Sequence, residues 1–88
     1  MATRTVEMRN KRGLHARASA KFVTLASSLP ASILVEKDGS KVCGTSIMGL
    51  MMLGAAMGDT ITILCDGMCA EDALANLAAL VEDRFGED

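Results

Sequence analysis

Seven short segments, all but one of them apolar on one side only, follow one another along this chain between breaks marked by glycine, proline or paired turn residues. A segment with a single apolar face is not stable alone and must bury that face against its neighbours. From Thr3 to Arg9 the residues alternate, with Val6 and Met8 to one side and Thr5, Glu7 and Arg9 to the other, which is the period of a half-buried strand. From Ala16 to about Ser27 the spacing changes: Ala18, Phe22, Leu25, Ala26 and Leu29 recur at helical intervals until Pro30 stops them. Ser32 to Lys37 and Ser40 to Cys43 read as two strands around Asp38-Gly39, a dipeptide suited to a two-residue hairpin turn. Ile47 to Leu53 reads as a short helix capped by Ser46 and ended by Gly54. Thr60 to Asp66 alternates again, with Ile61, Ile63 and Cys65 on one face. A longer helix then carries Ala70, Ala73, Leu74, Leu77, Leu80 and Val81 on one stripe, with Glu71 and Asp72 at its positive end. The order β-α-β-β-α-β-α predicts an α+β open-faced sandwich, with helices over one face of a four-stranded antiparallel sheet.

Eighty-eight residues suffice for one small core, so 1–88 is expected to be a single domain with no room for a second catalytic lobe. Half the residues are hydrophobic but only Phe22 and Phe85 are aromatic, so the core must come from aliphatic side chains. The shortage of rings also argues against base stacking, and an isoelectric point near 5.3 against a nucleic-acid backbone footprint. The net charge of −2 hides a division, because residues 1–21 carry six Lys or Arg against Glu7, whereas 22–88 sum to −7. Such polarity favours steering toward acidic partners or phosphorylated groups. Cys43, Cys65 and Cys69 lack metal-site or disulfide spacing and are expected to be buried small hydrophobes. No metal or cofactor is expected. The longest apolar-plus-glycine run, Ile47 to Gly58, has twelve residues and is too short to span a bilayer. No leader-like segment opens the chain, so a cytoplasmic location is expected. The acidic ends Glu82-Asp83 and Gly86-Glu87-Asp88 are expected to be solvated and without chemical work.

The positive segment surrounds the one histidine. In Arg12-Gly13-Leu14-His15-Ala16-Arg17-Ala18, a glycine turn leads into the first helix and places His15 at its start. The first amides of a helix lack internal partners, and the macrodipole adds positive potential there, so this end suits an anion. Arg17 supplies a planar fork of donors matched to phosphate oxygens, and Lys11 and Arg12 add charge. A cationic neighbourhood disfavours the imidazolium, which leaves a neutral ring with a free lone pair able to accept a phosphoryl group. A second cluster is the short helix, apolar nearly all round, on which Leu50 and Leu53 are expected to be buried. Ile47, Met48 and Met51 are expected to form an exposed, adaptable docking patch.

Gly13-Leu14-His15-Ala16-Arg17 followed by an alanine-rich helix resembles the active-site signature of the HPr family, the phosphocarriers of the phosphoenolpyruvate-dependent phosphotransferase system. Thr45-Ser46-Ile47-Met48-Gly49-Leu50-Met51-Met52-Leu53-Gly54 resembles that family's regulatory-serine segment, and the resemblance covers essentially the whole chain. It implies the sheet order 1-4-2-3 with three helices on one face. It also implies that His15 accepts a phosphoryl group on Nδ1 from phosphorylated enzyme I, held by the Ala16 and Arg17 amides and the Arg17 side chain, and passes it to an enzyme IIA. The chain would then be a covalent intermediate and not an enzyme, expected as a monomer. Ser46 would be the target of an HPr kinase/phosphorylase, as in some lineages of that family. Phe85-Gly86-Glu87-Asp88 and Gly49 to Leu53 look closer to the nitrogen-related branch than to the sugar-transport branch. The family usually has proline where this chain has Ala18, which leaves the start of the helix less rigidly held. The alternative is a non-catalytic regulatory binding module, controlled at Ser46, in which His15 is merely structural.

Overall fold

In a computed structural model, which describes residues 1–87, the chain forms β1 (Ala2–Glu7), α1 (Ala16–Ser27), β2 (Ser32–Lys37), β3 (Ser40–Cys43), α2 (Ile47–Met52), β4 (Thr60–Asp66) and α3 (Ala70–Glu82). The sheet order is β1-β4-β2-β3 and every pairing is antiparallel. Val6 lies opposite Ile61 across β1 and β4, and Ile33 and Val35 lie opposite Cys65 and Ile63 across β2 and β4. These six side chains are all buried and face the helices. On the other face Thr5 and Thr62 share a hydroxyl hydrogen bond of 2.9 Å in the open. One face of the sheet is therefore covered and the other is left to water, which is the arrangement the alternating strands predicted.

The ladder of β1 ends at Glu7, two residues before the alternation in the sequence does. Met8 nevertheless accepts from the Gly58 amide and donates to the Asp59 carbonyl, both at 2.8 Å, and its side chain is fully buried. The β2-β3 turn has φ of 50° at Asp38 and 84° at Gly39, as a tight hairpin requires. α2 stops at Met52 with Leu53 as its C-cap, and Gly54 at φ 66° turns the chain away.

Cys65 is buried as expected, but Cys43 and Cys69 are exposed. Cys43 ends the edge strand β3 and alternates with the partly buried Val42, while Cys69 has left-handed backbone (φ 58°) just before α3. A short 3-10 turn, Arg84–Gly86, follows α3 and was not legible in the pattern of the sequence. Arg84 and Phe85 are both left-handed there (φ 57° and 55°), a conformation costing about 1 kcal/mol or more per ordinary residue. Full burial of the Phe85 ring, worth roughly 2–3 kcal/mol, offsets that cost, and Lys21 Nζ donates to the Phe85 carbonyl at 2.7 Å.

The loop before α1 is held against the segment after α2. Gly13 has φ 62°, and a Cβ built on it would overlap the Ala55 carbonyl oxygen, to which the Leu14 amide donates at 3.0 Å. Ser19, also buried, donates its hydroxyl to the Leu14 carbonyl at 3.2 Å. The start of α1 is thus tied down without the proline that Ala18 replaces. Gly13→Ala is expected to lower stability by more than about 2 kcal/mol, combining left-handed strain with a steric clash. Gly39→Ala, at φ 84° but with no atom within 4 Å of the added Cβ, is expected to cost only about 1 kcal/mol. Urea midpoints of the two variants check this: equal losses would mean that the Gly13 and Ala55 contact carries no weight.

Candidate functional site

His15 is the N-cap of α1, in extended backbone (φ −75°, ψ −179°), and its Nδ1 accepts from the Arg17 amide at 3.3 Å. Histidine takes here the place that serine or aspartate usually fills, with a ring nitrogen as the acceptor that satisfies a free helix amide. The other edge of the ring is covered, because Nε2 lies 2.8 Å from Glu87 Oε2 and the side chain is only 16 % exposed. Glu87 is held in turn by Asn10, whose Nδ2 donates to Glu87 Oε1 at 3.1 Å and to the Gly13 carbonyl at 2.8 Å. Asn10 is fully buried, and its Oδ1 has no hydrogen-bond partner among the described residues.

A carboxylate can only accept, so the proton of a neutral ring belongs on Nε2, pointing at Glu87. An amide N–H can only donate, so Nδ1 must carry the lone pair. Both contacts select one tautomer, with the free electron pair on the nitrogen that faces the helix start. Burial pushes the Glu87 carboxyl up. Hydrogen bonds from Asn10 and His15, with the nearby charges of His15 and Lys21, outweigh that, and its pKa lies below the ordinary value of 4.5. The carboxylate is therefore ionised more readily than an ordinary glutamate.

The setting of His15 departs from the expectation in one respect. Its nearest charged neighbour is an anion, not a cation, and it comes from the acidic end that was expected to be solvated. Asp88, the other residue of that end, lies outside the described residues. The Arg17 side chain is exposed and lines an open, largely apolar groove with Ala20, Lys21, Thr24, Leu25 and Leu80. Ala16 opens the helix beside it and is exposed.

Ser46 caps α2: its hydroxyl accepts from the Gly49 amide at 2.9 Å. Leu50 is the fully buried residue of α2, Leu53 is partly buried, and Ile47, Met48 and Met51 are exposed as expected. Met52, at 80 % exposure, joins the same patch and was not singled out by the sequence. α1 and α2 pack against each other, so the patch belongs to the same helical layer as His15. Among the described residues no cluster of three or more His, Cys, Asp or Glu could hold a metal ion, and no helix is long and apolar enough to cross a membrane.

Comparison with known proteins gives this geometry a family. The model of the family described as "PTS HPr component phosphorylation site" matches residues 2–83. The chain belongs to the HPr family. It is 44% identical over 87 residues to the phosphocarrier protein HPr of Cupriavidus necator, an alignment covering 99% of this chain and 98% of that one. It is also 44% identical to the phosphocarrier protein NPr of Shewanella violacea, over 96% of this chain and 92% of the other. The crystal structure of HPr from Thermoanaerobacter tengcongensis superposes with a TM-score of 0.95 at 44% identity, covering 100% of this chain and 99% of that one. HPr proteins are carriers of the phosphotransferase system, and the open-faced sheet of order 1-4-2-3 with three helices is shared with these neighbours.

Because the folded pKa of Glu87 is depressed, its contribution to stability is present above the unfolded value and is lost as pH falls through the folded one. A carbon NMR titration of the Glu87 carboxyl is expected to show a midpoint below 4.5 that His15→Ala moves upward. An ordinary midpoint, unchanged in His15→Ala, would mean that the carboxylate is not held by the ring.

Proposed function

We propose that this chain is a phosphohistidine relay, in which His15 takes a phosphoryl group on Nδ1 from phosphorylated enzyme I and surrenders it to an enzyme IIA. The observation that carries the reading is the pair of hydrogen bonds on the ring, which leaves the lone pair on Nδ1 and the proton on Nε2. The membership in a family of phosphocarriers supports it.

In the transfer, the bond between phosphorus and the donor group of enzyme I breaks, its electron pair leaving with that group, as the Nδ1 lone pair forms a new bond to phosphorus. The Nε2 proton stays where it is, so no base is needed. Bond formation uses the lone pair that the Arg17 amide contacts, and that N–H then becomes available to a phosphate oxygen. With the Ala16 amide and the guanidinium of Arg17 it forms the anion cradle. Positive charge appearing on the ring is balanced by Glu87 across Nε2, which makes Glu87 a positioning residue. The chain carries the group between enzymes and does not act on phosphoenolpyruvate itself.

Enzyme I and the enzyme IIA dock, in this reading, on the start of α1 and on Ile47, Met48 and Met51 of α2. The positive segment of residues 1–21 steers acidic partners to that layer. An HPr kinase/phosphorylase modifies Ser46, where a dianion at the start of α2 repels an acidic partner. The carrier acts in the cytoplasm as a monomeric domain of residues 1–88. HPr relatives at 42–46% identity and an NPr relative at 44% do not separate the two branches, and the acceptor in this reading is an enzyme IIA of either the sugar-transport or the nitrogen-regulation branch.

Incubation with phosphoenolpyruvate, magnesium and enzyme I is expected to add one acid-labile phosphate, mapped to His15 and absent in His15→Ala. Arg17→Ala is expected to slow the transfer about tenfold to a hundredfold, as loss of a charged donor to the moving group should. Ser46→Asp, which keeps a capping oxygen but adds charge, is expected to raise KM for enzyme I more than it changes stability. No phosphate on the wild type, with partner binding retained in His15→Ala, would establish the regulatory binding module instead.

A further inference from the structure

The relay uses the methionines of α2 only as apolar contact area and leaves the chemistry of their sulfur atoms unused. The chain has seven methionines. Met8 is fully buried and Met1, Met57 and Met68 are exposed singly outside the helices, whereas Met48, Met51 and Met52 are 74%, 43% and 80% exposed together on one helix of six residues. A thioether reacts with peroxides wherever the oxidant can reach it, and the product sulfoxide is polar and chiral. α2 therefore gathers three accessible thioethers on the face assigned above to docking.

We infer that Met48, Met51 and Met52 form a reversible oxidation site, at which a hydroperoxide makes the docking face of α2 polar and uncouples the carrier from its partners. The inference rests on the docking role proposed for this helix. A sulfur lone pair attacks one peroxide oxygen, an S–O bond forms and the O–O bond breaks. The displaced oxygen leaves as water, or as an alcohol from an organic hydroperoxide. Sulfur is oxidised by two electrons and the peroxide is reduced by two. A methionine sulfoxide reductase returns the thioether, its dithiol supplying two electrons and the oxygen leaving as water.

The fold has reason to survive this change while docking does not. Leu50, which anchors α2, cannot be oxidised in this way, and the hydrogen bond from the Gly49 amide to Ser46 involves no sulfur. A sulfoxide oxygen pressed into an apolar interface would instead be a strong acceptor without a donor. Ile47 remains as the unreactive apolar neighbour. The exposed thiols Cys43 and Cys69 also meet peroxide, but their disulfide and sulfenic products are reversed by a small dithiol, whereas methionine sulfoxide requires its reductase.

The test treats the whole protein with hydrogen peroxide, restores the thiols with dithiothreitol, and maps the added oxygen by peptide mass. Oxygen is expected at Met48, Met51 and Met52, and at the exposed Met1, Met57 and Met68, before the buried Met8. kcat/KM for transfer from phosphorylated enzyme I is expected to fall about tenfold, with unchanged circular dichroism, and to recover with sulfoxide reductase. A protein carrying Met48→Leu, Met51→Leu and Met52→Leu is expected to keep its own untreated rate after peroxide. Full transfer by the oxidised wild type would overturn the inference, as would an equal fractional loss in the triple variant. Recovery with the reductase shows that the loss comes from methionine sulfoxide, the triple variant assigns it to α2, and a loss that the reductase leaves in place would also overturn the inference. Binding to unphosphorylated enzyme I, followed in parallel, reads docking without the chemistry. Untreated protein that takes no phosphate therefore counts against the relay, and the oxidation result still stands or falls on binding.

Discussion

The imidazole of His15 is held between two hydrogen bonds that arise far apart in the sequence, and the chemistry assigned to the fold depends on both. The Arg17 amide, two residues on, comes with the helix that His15 itself caps. The Glu87 carboxylate is 72 residues away and reaches the ring because Phe85 is buried, Lys21 holds the Phe85 carbonyl and Asn10 holds Glu87. A backbone amide and an ionised carboxylate make opposite demands on the two ring nitrogens. A neutral imidazole can meet both in only one tautomer. The left-handed backbone of Arg84 and Phe85 brings Glu87 to the ring, and burial of one of the chain's two aromatic rings stabilises it.

What could be read from the sequence divides along the range of the interactions. Alternation in Thr60 to Asp66 and helical spacing from Ala16 to Ser27 are local properties, and both elements fold with those bounds. The cap at Ser46 and the hairpin turn at Asp38-Gly39 are set by neighbouring residues, and both appear as expected. His15, Ala16 and Arg17 share one helix start, so their grouping was legible too. Glu87 and Asn10 were not. Asn10 reads as an ordinary turn residue and Glu87 as part of a solvated acidic end, because nothing within a few positions of either shows that they meet. The one available signal was Phe85: an aromatic ring near the end of a chain with only two is a reason to expect that end to be docked.

The same distinction explains Cys43 and Cys69. Composition made burial the natural expectation, but position on an edge strand and at a left-handed residue before α3 decides exposure. Elsewhere the division of labour is simple. The sheet and α3 supply the greater part of the core. α1 and α2 contribute a few anchors, among them Phe22 and Leu50, and present the rest of their surfaces outward. A helix of six residues with three exposed methionines is a weak contributor to folding and a suitable contributor to recognition.

The claim on which the account turns is the protonation pattern of one ring. Nitrogen NMR of the His15 imidazole, correlated with its carbon-bound protons above the pH at which the ring titrates, reads that pattern without partners or phosphate. The account predicts a protonated Nε2 and an unprotonated Nδ1, with the preference weakened in Glu87→Gln. A ring protonated at Nδ1 would place the lone pair against Glu87 and contradict the account.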